Sequence, residues 1–302
     1  SPIAGTVADR FAPSSRDAAA PRPSRGAVVI PLLNAETQRF LSRRVTLFFP
    51  LALALLIVIG VTIAYFVITA QDDSVDFVND IAFGPSVADQ PGASNVLGPL
   101  GFLLPIMAYT LGASFYGADQ KTGVIELLAT WEPRRLRLLA ARAIGGSVVS
   151  IVLGMLVSAV SVAAFYVLSA TTGTTDGMTG ERWWWITMAV FRTGLLCAAF
   201  FLFGLALTVL ANNSVASIIS FVIYAFVVEN ILQIFVGWLA PWLPMANASA
   251  FSAGVDMQTV TLDTLEDPTS QHGWLVAGLV VLAYPVVAYI AAAAVFDRRD
   301  IT

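Results

Sequence analysis

The sequence predicts an all-α membrane protein with six transmembrane helices and both termini in the cytoplasm. Three observations carry that expectation. Hydrophobic residues make up 57% of the 302 and charged ones 12%, against roughly 45–50% and 25% in soluble globular chains. Six apolar stretches each exceed the roughly 20 residues that cross a hydrocarbon core of about 30 Å. The sixteen Lys and Arg residues fall almost entirely on one side of those stretches.

Taken in order, the spans are expected at residues 47–70, 96–116, 140–170, 184–211, 215–236 and 274–296. Their continuous apolar character favours helices over barrel strands, which alternate apolar and polar residues. Pro50 suits a first helical turn, whereas Pro105 and Pro285 should bend the second and sixth spans. Residues 1–30, rich in Ala, Pro, Ser and Arg, read as a disordered cytoplasmic tail without the apolar core of a signal peptide. Residues 31–302 form the membrane domain.

Fourteen basic residues precede the first span, lie between the second and third, or follow the sixth. The positive-inside rule therefore places both termini in the cytoplasm. The opposite loops are acidic, with Asp72, Asp73, Asp76, Asp80 and Asp89 in the first and Asp256, Asp263, Glu266 and Asp267 in the third. Trp183, Trp184, Trp185, Trp238, Trp242 and Trp274 gather at the expected outer ends, where indoles favour the headgroup layer.

The composition argues against a cytosolic enzyme or a nucleic-acid binder. One cysteine, Cys197, allows no intrachain disulfide, and one histidine, His272, allows no HExxH site. The only lysine, Lys121, follows Gln120, so the chain has no phosphate-cradling GxxxxGK[ST] loop and any ATP must be handled by another chain. Arg192 and Glu229 are the only ionised residues expected within the later spans, with Cys197 and Asn230 beside them. That is too little for an active site, so the expectation is a non-enzyme. Counting 1.5 Å per residue puts both charges about 9–12 Å below the outer face, and an ion pair between them is expected, either structural or lining a path. Cys197 reads as a small buried hydrophobe and His272 as a solvated loop residue. Asn247 opens a glycosylation sequon of little weight.

The most informative stretch is the inner loop 119–142. Val124, Leu127, Leu128 and Trp131 recur at i, i+3, i+4 and i+7, giving a helix with one apolar face. Pro133 breaks it, and Arg134, Arg135, Arg137 and Arg142 lead into the third span. Such a helix either lies on lipid, held by arginines, or docks a cytosolic partner. Residues 234–244, IFVGWLAPWLP, are apolar but broken by Gly237, Pro241 and Pro244. They form either a re-entrant segment or an ordinary helix end with an interfacial loop.

The run from Gly112 through Arg142, with Gly117, Thr122, Gly123, Leu127, Leu128 and then Thr130-Trp131-Glu132-Pro133-Arg134-Arg135, resembles the corresponding loop of permease subunits of type-2 ATP-binding-cassette exporters of actinobacterial type. The six-span layout, the amphipathic stretch with Glu36, Arg39, Arg43 and Arg44, and the ending Asp297-Arg298-Arg299-Asp300-Ile301 are similar too. The resemblance extends over residues 32–301. It implies a coupling helix at 122–131, with Thr122, Glu126, Leu127, Leu128, Trp131, Glu132, Arg134 and Arg135 meeting an ATPase subunit. It also implies a connecting helix at 34–44, for which Asn34 is a suitable N-cap, and a re-entrant segment at 234–244.

The resemblance implies a bacterial cell-membrane exporter of an amphipathic or lipid-like substrate. Two ATPase subunits would bind ATP and magnesium, a second permease subunit, identical or not, would complete the pathway, and membrane lipids would surround it. No cofactor is expected in this chain, and no nucleic-acid partner. A non-transporting accessory or scaffold subunit is the alternative.

Overall fold

The computed structural model describes residues 29–69, 97–123, 135–172, 178–259 and 269–298. The chain forms α1 (Val29–Leu41), α2 (Arg44–Thr69), α3 (Leu97–Lys121), α4 (Arg135–Thr172) and α5 (Gly180–Ala211). It continues with α6 (Ser214–Ile223), a π-helical turn (Tyr224–Val228) and α7 (Glu229–Phe235). A 3-10 turn (Ala240–Trp242), α8 (Pro244–Ala253), β1 (Met257–Thr259), β2 (Thr269–His272) and α9 (Trp274–Arg298) complete it. Five helical spans are long and apolar enough to cross a membrane, or six when α1 and α2, bent by 55°, count as one. The chain is a multi-pass, all-α membrane protein.

Each expected span has its helix, and the differences lie at the ends. α3 runs on to Lys121 and α4 starts at Arg135, so the segment between them shrinks to 122–134. Hydropathy underestimates such helices because Ala, Gln, Lys, Arg and Leu extend a helix well beyond the apolar core. Gly123, at φ 68°, takes the left-handed conformation that ends α3. The helix expected at 34–44 starts at Val29, which puts Asn34 inside α1 rather than at its N-cap. Arg44 belongs to α2, across a turn at Ser42 and Arg43 in which the Arg43 N–H reaches the Phe40 carbonyl.

The centre of the bundle is α5, packed against α3, α4 and α9. Close approach is built on glycine, as in other membrane bundles. A Cβ at Gly112 of α3 would overlap the Phe201 carbonyl of α5, and one at Gly204 would overlap the Tyr109 carbonyl of α3. Consecutive asparagines then reverse the chain. Asn212 caps α5 in the left-handed region at φ 55°, and the Asn213 side chain accepts the Val215 and Ala216 N–H groups at 3.0 and 3.2 Å to start α6. The outward faces of α2, α6 and α9 remain apolar, with Leu51, Leu55, Ile219 and Leu279 exposed.

The fifth span is not a uniform helix. Tyr224–Val228 is a π turn in which the Glu229 N–H reaches back five residues to the Tyr224 carbonyl. The Asn230 side chain donates to the Ala225 and Phe226 carbonyls at 3.3 and 3.1 Å. After Phe235 the chain turns back alongside α9. Tyr284, ten residues into α9, donates to the Trp242 carbonyl at 2.6 Å, while Phe251 packs on Trp274 and Gly278 in the first turns of α9. The segment therefore reaches the level of Tyr284 before α8 returns toward the first turns of α9. Part of the third acidic loop forms an antiparallel ribbon, Met257–Thr259 with Thr269–His272.

Candidate functional site

Polar side chains concentrate at three places, the first where α1 meets the ends of α3 and α4. Glu36 of α1, Asp119 of α3 and Arg142 of α4 are all at most 3% exposed. Arg142 Nη2 lies 2.9 Å from Asp119 and its Nε 3.4 Å from Glu36. Arg39 bridges the same two acids at 3.5 and 3.4 Å, and Arg43 pairs with Asp119. Three guanidiniums thus share two carboxylates. Phe115 supports them, with Arg43 4.8 Å and Arg142 5.8 Å above its ring centroid, in the geometry of cation–π attraction. Phe40 and Phe201 pack edge-on beneath.

This cluster brings together Glu36, Arg39 and Arg43 of the expected connecting helix. It adds Asp119 and Arg142, which the sequence reading treats only as loop boundaries. An acidic residue at the end of an apolar helix whose flanks are basic was the available signal. Of the expected coupling residues, Thr122 lies in the turn that closes α3, with its hydroxyl 3.1 Å from the Ala118 carbonyl. Arg135 opens α4 rather than a loop. Glu126, Leu127, Leu128, Trp131, Glu132 and Arg134 lie outside the described residues. Arg44 is exposed at the start of α2 and joins no salt bridge in the cluster.

The second place is α8. The expected Arg192–Glu229 ion pair is not formed, and no salt bridge joins them among the described residues. Glu229, 1% exposed, accepts the Ala246 N–H at 2.8 Å in the first turn of α8. Arg192, 6% exposed, points its Nε and Nη2 at the Ser252 and Ala253 carbonyls, 3.5 and 3.2 Å away, at the other end. The physical reason is the helix dipole, about half a positive charge at the N-terminus and half a negative one at the C-terminus. Each side chain neutralises one pole. α8 has no side-chain cap of its own, since its N-cap position is Leu243. Arg192 also lies 5.1 Å over the Trp274 ring and fills the space beside Gly254, whose φ is 75°.

Midway along α8, Asn247 is fully buried and donates to the Pro241 and Leu243 carbonyls, both at 2.8 Å. His272 of β2 is 2.8 Å from its Oδ1. The histidine expected in solvent is therefore part of the α8 support, and the sequon asparagine is inaccessible. Cys197 is fully buried as a small hydrophobe against the Leu104 carbonyl.

The third place is a cleft of about 660 Å³ between α5, α6 and α9. Aromatic residues and Leu207, Leu210 and Ala216 form most of its wall. Its polar groups are few, Ser217, Ser220 and the hydroxyls of Tyr109, Tyr224 and Tyr284. The Tyr109 hydroxyl is 2.7 Å from Ser217 Oγ.

The apolar helical bundle defines a polytopic membrane protein. Residues 55–302 match the family described as Protein of unknown function (DUF2705), and the chain belongs to that family. Comparison with curated proteins gave no match.

Proposed function

We propose that the chain is the membrane permease subunit of an ATP-driven exporter of the type-2 ATP-binding-cassette class, residing in a bacterial cell membrane with both termini in the cytoplasm. The observation that carries the reading is the buried junction of Glu36, Asp119 and Arg142 with Arg39 and Arg43. It grips α3 and α4 on either side of segment 122–134 and ties both to α1. A force applied to that segment by a cytosolic chain would therefore move α1, α3 and α4 as one body, which is the rigid coupling a two-state exporter needs. ATP and magnesium would bind the partner ATPase subunits. Two permease subunits would face each other, and the cleft between α5, α6 and α9 would receive an amphipathic or lipid-like molecule.

Trp131→Ala tests the assignment. The substitution removes an aromatic anchor of the kind that often contributes 2 kcal/mol or more to an interface. The expected result is normal membrane insertion with loss of the co-purifying ATPase chain and of substrate-stimulated hydrolysis. Purification from native membranes without any nucleotide-binding chain would favour an accessory or scaffold subunit instead.

A further inference from the structure

The cleft is walled by a continuous aromatic set. Tyr109 stacks on Phe221 with centroids 3.8 Å apart, Phe203 meets both edge-on at 5.7 and 6.0 Å, and Tyr224 continues the row at 6.5 Å from Phe221. Ring faces attract cations through their quadrupole, and aromatic cages are the usual seat of quaternary ammonium groups. None of the described residues that line the cleft is basic. Two of the lining residues, Tyr224 and Tyr284, interact with Glu229, Tyr224 through a hydrogen bond. Tyr224 opens the π turn and Glu229 follows it, and such turns recur at functional sites.

Glu229 is the nearby charge. Its Oε1 holds the Ala246 N–H, and the Tyr224 hydroxyl, on the cleft wall, hydrogen-bonds to the same carboxylate. The carboxylate thus serves α8 and, through Tyr224, meets the cleft wall, and in surroundings of low polarity its negative field is weakly screened. The volume of about 660 Å³ lies within the range of roughly 300–1,000 Å³ that holds small organic ligands.

The geometry points to a binding site for a cationic amphiphile, with its apolar body along Phe203, Leu207 and Leu210 and its cation against the tyrosines on the Glu229 side. This names the substrate class of the cleft and rests on the exporter reading for the word substrate, although the binding itself requires no ATPase.

The test uses the purified full chain in phosphatidylcholine nanodiscs and radiolabelled tetraphenylphosphonium, with tetraphenylborate as the anion of matching size and shape. After subtraction of uptake by empty discs, saturable binding of the cation is expected, with the anion at least tenfold weaker. Glu229→Gln, which keeps an oxygen for the Ala246 N–H, should weaken cation binding about tenfold. Phe203→Leu, which leaves the acid in place, should weaken it several-fold. Equal binding of the two ions would mean a charge-indifferent acyl-chain groove and would overturn the inference. So would absent saturable binding, or cation binding unchanged in both folded variants. Hydrolysis by a reconstituted ATPase chain separates the two readings: stimulated hydrolysis without cation binding leaves the exporter standing and removes this site. Cation binding with no ATPase partner does the reverse.

Discussion

If Glu229 and Arg192 neutralise the two poles of α8 rather than each other, then changing Glu229 to Gln and to Leu will give different results. In Glu229→Gln the new amide oxygen still accepts the Ala246 N–H, so only the charge–dipole part is lost, about 0.3–2 kcal/mol. Glu229→Leu also leaves a buried N–H without a partner, adding about 1–3 kcal/mol. Arg192→Met removes the charged donor from the Ser252 and Ala253 carbonyls and from the Trp274 face, a loss of about 1–3 kcal/mol. A direct ion pair predicts otherwise. Either Glu229 variant would then strand a buried guanidinium at about 3–5 kcal/mol, and the Glu229→Leu/Arg192→Met double variant would recover stability. The assay is reversible unfolding of the purified chain in mixed micelles with a graded denaturing detergent. Near-equal losses for Gln and Leu, together with recovery in the double variant, would refute the helix-pole arrangement.

Three further outcomes follow from the fold. In a Cys197→Ala background, Glu181→Cys should react with an impermeant thiol reagent on intact cells and Lys121→Cys only after permeabilisation, both positions being exposed; the opposite pattern would invert the orientation. Asp119→Asn should lower stability by about 3–5 kcal/mol in the same unfolding assay, because Arg39, Arg43 and Arg142 all converge on that carboxylate. Arg39→Ala, with its side chain 32% exposed, should lower it by less than about 1 kcal/mol. Gly112→Val should prevent recovery of monodisperse protein by forcing α5 away from α3, whereas Gly60→Ala, with open space around it, should be neutral by size-exclusion chromatography.

The five to six candidate spans were legible in the sequence because a lipid-crossing helix needs a long apolar run. Their ends were less so. Ala118 to Lys121 and Arg135 to Leu139 extend α3 and α4 through residues that favour helix without being uniformly apolar. The π turn was also hidden, since Tyr224 to Val228 has the composition of ordinary membrane helix. What holds the turn open is Asn230, whose side-chain amide donates to the Ala225 and Phe226 carbonyls.

The positions of Arg192 and Glu229 on their helices could be counted from sequence, but their partners could not. A count of charges contains only charges, and by that measure the pair was the economical solution. The poles they actually meet exist only once residues 244–253 have folded into a helix. One sequence feature does point there. The helix begins Leu243-Pro244-Met245-Ala246, with Pro suited to the first turn but with no Ser, Thr, Asp or Asn ahead of it to accept the early N–H groups. Within a bilayer those groups have no water to turn to. An uncapped helix start between two membrane spans therefore requires an acceptor from elsewhere in the chain. Glu229, a buried acid at the start of the preceding helix, is the residue that can supply it.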